Sequence, residues 1–303
     1  REDVAARIEH GGTVMKPGVS LVILLIGLGC VRVARGWPDY RAIQQQRAAA
    51  ERATNARAWV ECVRAYEQAH VLLRDDGSDL VWAAGCAAES GDALGAVKLL
   101  RRAAQAGQRN VAVLEDSSFS ALPAAELVHL KSTFLANEAA YAARVNQRLR
   151  QLFDEDQHER LQPPADWNEV LAHDAVRFQE VKAQLDGGLR APEDFFFAAA
   201  VLNHSEEIAD NQLAHELAVR AATLAPSSLL ARALAGAADD RLQMRAGLPQ
   251  KYGTQFVRDG DGGWSLYPVD ERVSDEQRAK WALPPLSEAR ARVAELNAAP
   301  ASP

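Results

Sequence analysis

The chain has 303 residues and a formal net charge of −7, an acidic surplus that argues against general nucleic-acid binding, which needs a basic face against phosphate. Hydrophobic residues make up 48% and charged residues 25%, the balance of an ordinary soluble globular protein, and the length leaves room for two domains. Alanine is abundant while β-branched and aromatic residues are few, which favours helix.

The first fourteen residues are polar and carry no signal character. A lysine at Lys16 then precedes an apolar run, Val19 to Leu28, of the length of a signal h-region and short of the ~20 residues a spanning helix needs. The run ends Gly27-Leu28-Gly29-Cys30, which resembles the bacterial lipobox and implies Cys30 as the lipidation position, with Gly27 where that motif usually has leucine. Met15 is then a candidate start of translation. Arg32 and Arg35 follow at once, and by the positive-inside rule they offer the alternative of a membrane anchor with a cytoplasmic body. Residues 1–37 are thus read as an extension plus a signal, lipoprotein or anchor segment. The expected address is the bacterial envelope: periplasmic, lipid-anchored or secreted.

Residues 38–147 are read as a helical repeat domain. Helical patterning runs from Arg41 to Gly77, and a second pair of runs flanks a Gly91-Asp92 turn. At an offset of thirty-four, Cys62 meets Ala96, Val63 meets Val97, Tyr66 meets Leu100 and Ala69 meets Ala103. That spacing places each set on one helix face. Antiparallel helices must approach closely where they cross, and Gly85 and Ala103 are the expected small residues there. The pattern resembles the tetratricopeptide repeat, whose period is about 34 residues; about one and a half copies are visible. Asn110, Leu114, Asp116, Phe119 and Leu122 follow as a closing piece, with Phe119 and Leu122 packing under the last helix. Cys62 and Cys86 sit in apolar helical runs, which predicts small buried thiols; one bridge between them is the alternative for an exported chain.

Residues 148–303 are read as a second helical domain. One long helix, Leu135 to Arg160, is expected to link the two and to end at the prolines of Gln162 to Trp167. Helices are predicted over Trp167–Leu185, Glu193–Leu202, Glu206–Leu224 and Ser228–Ala246. Gly247 and Pro249 stop the last one. Gly253 permits a reversal, and Thr254–Arg258 with Trp264–Tyr267 reads as a hairpin around Asp259-Gly-Asp261-Gly-Gly. The segments DEDQHER (Asp154–Arg160), HDAVRFQEV (His173–Val181), VLNHS (Val201–Ser205), LAHELAVRA (Leu213–Ala221) and DDRLQMRAGLPQKYGTQF (Asp239–Phe256) occur in order. Together they resemble a bacterial domain of unknown function that often follows tetratricopeptide-like repeats. The tail residues Tyr267, Pro268, Asp275, Arg278, Leu283, Pro284, Pro285 and Leu286 extend the likeness, which implies no activity.

The fold class expected is therefore all-α: tetratricopeptide-like hairpins, then a helical domain with a small C-terminal β-hairpin. The candidate binding residues are His204, His215, Asp240, Arg241, Gln250, Tyr252, Thr254 and Gln255. Asp240 and Arg241 suggest a buried ion pair with amide partners that braces the hairpin, or a patch with Arg241 and Gln255 as recognition groups. No metal ligand set, cofactor motif or catalytic motif stands out: CxxC, HExxH, GxSxG, P-loop and Rossmann patterns are all missing. The reading is a protein-interaction scaffold for a protein or peptide partner, touching a membrane through its N-terminal segment. The alternative is a hydrolase or metal-dependent enzyme built on His204, His215, Asp240 and Arg241.

Overall fold

The computed structural model describes residues 37–161, 167–258 and 263–298. The expected signal segment with Cys30, the prolines after Leu161 and the tip of the hairpin at 259–262 lie outside the described residues. The fold is all-α, with twelve α-helices and one two-stranded antiparallel sheet among the described residues. None of these helices is long and apolar enough to cross a membrane. The chain forms two compact units, one spanning Pro38 to Ala143 and the other running on from Arg144.

In the first unit, α1 (Tyr40–Asn55) starts at Asp39, whose carboxylate accepts from the N–H groups of Arg41 and Ala42. The chain reverses into α2 (Trp59–Leu73), then α3 (Ser78–Glu89) and α4 (Ala93–Ala106). Asp92 caps α4 through Gly95 N–H at 2.8 Å, and Gly107 closes it at φ 105°. Two short 3₁₀ turns, Val111–Glu115 and Ser117–Phe119, are capped by Asn110 and Asp116 and lead to α5 (Ala124–Arg144).

The thirty-four-residue offset is a burial pattern: Cys62, Tyr66 and Ala69 on α2 and Ala96, Leu100 and Ala103 on α4 all lie in the core. It continues further than the sequence comparison reached. Leu130 and Phe134, another thirty-four residues on, take the places of Ala96 and Leu100 and complete the same core cluster. In this third copy the first helix is replaced by the 3₁₀ turns, whose Phe119 is fully buried. The second helices are stitched along their outer edge by Glu67–Arg102 and by Arg101–Glu126 at 2.7 Å. Such exposed pairs set register more than stability.

Two expectations are corrected here. Gly85 is not the tight crossing, since a Cβ there would meet only Ser118 Oγ at 4.0 Å. The tight point is Gly77, where a Cβ would sit 2.8 Å from Ala103 Cα and 3.1 Å from Ala106 Cβ. Small residues are needed there because the turn before α3 lies directly on α4. Secondly, Cys62 and Cys86 are joined as a disulfide that ties α2 to α3, rather than standing as two thiols. The helices bring their Cα atoms to 6.1 Å, within ordinary bridging range.

The expected long helix Leu135–Arg160 is also corrected, being divided between α5 and α6 (Gln147–Leu161). The cause is Asn146. Its Oδ1 accepts from the N–H groups of Arg148 and Leu149, a side-chain cap that opens a new helix. In the same place Asp194 accepts Asn146 N–H at 2.7 Å, which fixes the break.

The second unit continues with α7 (Trp167–Leu185), α8 (Pro192–Leu202), α9 (Ile208–Leu224) and α10 (Leu229–Arg245). The last three pack closely through alanines, among them Ala199, Ala218, Ala221, Ala235 and Ala238, all fully buried. Gly247 at φ 71° ends α10. Strands β1 (Phe256–Arg258) and β2 (Trp264–Leu266) pair antiparallel with Phe256 opposite Leu266. α11 (Asp275–Lys280) and α12 (Leu286–Ala298) follow, and the Asn297 amide pairs with both backbone groups of Trp264.

Candidate functional site

The polar interior of the second unit begins with two helix stripes. On α6, Leu149 and Leu152 are buried, and the same stripe continues as Asp156, fully buried, and Arg160. On α7, Val170 and Val181 are buried and the residues between them on that face are Asp174 and Arg177. Charges on core-facing positions must find partners, because an unpaired buried charge costs several kcal/mol. Here they pair with each other. Arg160 forms an ion pair with Asp156 at 2.8 Å and donates to Asp174 at 2.5 Å; Arg177 donates to Asp174 at 2.7 Å and to Glu159 at 2.6 Å. His173 completes the edge through Glu159 at 2.7 Å. Burial pushes the Asp156 carboxyl up to about 7, with Arg160 and the Gln157 amide pulling the other way.

His204, in the turn after α8, stands against this network with Nε2 3.5 Å from Asp156 Oδ2. Burial, then the neighbouring Arg160, Arg241 and Arg177, hold its pKa well below the ordinary value. It is a neutral imidazole in a cationic neighbourhood. His215 on α9 is separate: its Nδ1 is buried without a hydrogen-bond partner among the described residues, and burial with the nearby Lys251 lowers it to about 3.

Asp240, near the end of α10, organises the loop that follows. Its Oδ1 accepts from the N–H groups of Lys251 at 2.6 Å and Tyr252 at 2.8 Å. Its Oδ2 accepts from Thr254 N–H at 3.0 Å and Thr254 Oγ1 at 2.9 Å. Burial raises the carboxyl to about 6, and those four bonds restrain the rise. Gln250, fully buried, completes the base of the hairpin: Nε2 donates to Gln255 O and Tyr267 O, and Oε1 accepts Gln255 N–H. Tyr252 is anchored through its hydroxyl, which accepts Trp281 Nε1–H at 3.0 Å.

The expected Asp240–Arg241 ion pair is corrected. Neighbouring residues on a helix point about 100° apart, so the carboxylate faces the loop while the guanidinium turns to the α8–α9 turn. There Arg241 Nη1 donates to Asn203 O at 2.9 Å, and Nε reaches Gln255 Oε1 at 3.4 Å. The structure thus gathers Asp240, Gln250, Tyr252, Thr254 and Gln255 into one bonded loop base, with Arg241 attached through Gln255. His204 belongs to the ionic network and His215 to neither. Among the described residues His204, His215, Asp240 and Arg241 share no hydrogen bond, and no group of three or more His, Cys, Asp or Glu is placed to hold a metal ion.

The residues that sequence reasoning passed over are Asp156, Glu159, Arg160, Asp174 and Arg177. A signal was present in the stripe logic itself, since charges at 156, 174 and 177 interrupt otherwise apolar i, i+3, i+4, i+7 rows. No family model, curated protein or solved structure matches the chain.

Proposed function

We propose that the protein is a tetratricopeptide-like interaction scaffold of a bacterial envelope, binding a protein partner through its stacked helices, with the second unit related to the bacterial domain that the ordered motifs resemble. One observation carries this reading. Val60, Leu94 and Val128 occupy the same position in α2, α4 and α5, thirty-four residues apart, and are 66%, 73% and 70% exposed. A large apolar side chain on the surface is ordinary by itself. Its recurrence at one repeat position, on helices stitched side by side, makes a row suited to an apolar partner face.

The disulfide supports the address, because such bridges persist in oxidising compartments, and the apolar run before Cys30 gives a route there. The test places a photoreactive residue at position 94 of the full chain in cells. The expected result is a discrete cross-linked partner that disappears when Val60 and Val128 are replaced by glutamate, with helicity unchanged. No discrete adduct, or an adduct indifferent to both substitutions, overturns the reading. Mass spectrometry of Cys30 tests the anchor separately, with a lipid-modified N-terminus expected and an intact unmodified one refuting it.

A further inference from the structure

Arg241 and Arg245 lie one turn apart on α10, both turned to the α8–α9 connection. Arg241 is half-buried, and its two protein acceptors, Asn203 O and Gln255 Oε1, are neutral. No carboxylate among the described residues lies within 4 Å of its guanidinium, and its Nη2 meets no acceptor there. Arg245 Nε is buried without an acceptor, while its Nη2 reaches only Glu206 at 3.4 Å, whose side chain is 78% exposed. The neighbouring Arg160 and Arg177 differ from these two in charge pairing, each being held by two carboxylates, although Arg177 Nε is likewise buried without an acceptor. A buried donor without a partner calls for a physical explanation, and a bound ion is one such explanation.

We propose that Arg241 and Arg245 form a binding site for a phosphate group, seated against the α8–α9 turn. The open donors are spread over two guanidiniums at Arg241 Nη2 and along the Arg245 edge. That suits a tetrahedral oxyanion, which offers acceptors in several directions, better than the two coplanar oxygens of a carboxylate. The charge balance agrees: two guanidiniums face one solvated glutamate, and neutral His204 adds nothing. Burial foremost, then repulsion from Arg245 and Arg160, lowers Arg241 to about 9, a strain that a bound dianion relieves.

The site belongs to the second unit and the Val60–Leu94–Val128 row to the first, and the proposal does not depend on that row binding anything. The test is calorimetric titration of the full chain with inorganic phosphate and with glycerol phosphate, at ionic strength fixed with sodium chloride. Saturable binding is expected, weakened about tenfold or more in Arg245→Gln and in Arg241→Gln. Arg220→Gln, an exposed arginine on α9 far from the pair in register, is expected to bind as the unchanged protein does. Binding of glycerol phosphate identifies an esterified phosphate as an acceptable source; binding of inorganic phosphate alone identifies the free ion. Arg241 also braces Asn203, so Arg245→Gln, with helicity checked by circular dichroism, decides the matter if Arg241→Gln folds poorly. No saturable heat beyond chloride, equal affinity for succinate, or undiminished binding in Arg245→Gln overturns the proposal.

Discussion

Replacing Gly77 by alanine isolates the energy of one helix crossing. Gly77 holds φ at 86°, and an alanine there pays about 1–2 kcal/mol for the left-handed backbone, offset by roughly 0.4–1 kcal/mol from a less flexible unfolded chain. It also drives a methyl to 2.8 Å from Ala103 Cα and 3.0 Å from Ala103 O, backbone atoms that yield only if α4 shifts. Overpacking of that kind costs about 1–3 kcal/mol. Gly91 supplies the control, since it holds φ at 85° with nothing within 4 Å of a built Cβ. Gly91→Ala is thus expected to cost about 1 kcal/mol and Gly77→Ala about 2–4 kcal/mol. Amide hydrogen exchange of α3 and α4 in low urea reports this unit independently of the other. If the two variants open equally often, the contact with Ala103 does not limit the crossing and the argument fails.

Three further outcomes follow from the same reasoning. Reducing the Cys62–Cys86 bridge, which spans 24 residues of sequence, is expected to destabilise the first unit by about 3 kcal/mol, read from its urea midpoint with and without reductant. Asp174→Asn takes away the carboxylate shared by Arg160 and Arg177 and is expected to cost about 3–5 kcal/mol in denaturant unfolding of the second unit. His215 has a folded pKa of about 3, below the ~6.5 of the unfolded chain, so its stabilising share is present above pH 6.5 and is lost as pH falls toward 3. Between pH 7 and pH 5 that share drops by about 2 kcal/mol. Asp156 and Asp240 oppose it, because their raised values make the fold lose stability as pH climbs from about 4 toward 7 and 6 respectively. The difference in unfolding free energy between the unchanged protein and His215→Leu, measured at both pH values, separates the terms.

Much of the second unit was legible because punctuation and periodicity agree there. Glycine or proline separates α7 from α8 and α9 from α10, Asn203-His204-Ser205 separates α8 from α9, and the predicted bounds of all four fall within two residues of the observed ones. The division between α5 and α6 was not legible. Asn146 interrupts no apolar row, and its cap depends on Asp194, forty-eight residues away in sequence. The third copy of the repeat was hidden because its first helix is missing, leaving only the faces of Leu130 and Phe134 to carry the period. Among the candidate residues, the loop base from Gln250 to Gln255 was correctly grouped with Asp240. The Asp240–Arg241 pair was misjudged because adjacency in sequence is divergence on a helix. The bridge between Cys62 and Cys86 rests on which helices become neighbours, which spacing alone leaves open.

Asp240 has a consequence for how the C-terminal part holds its shape. Two oxygens of one side chain hold Lys251, Tyr252 and Thr254 and so set the path of a four-residue turn. Its geometry is on loan from the last coils of α10, and when those coils unwind the template vanishes and the hairpin is left without instructions.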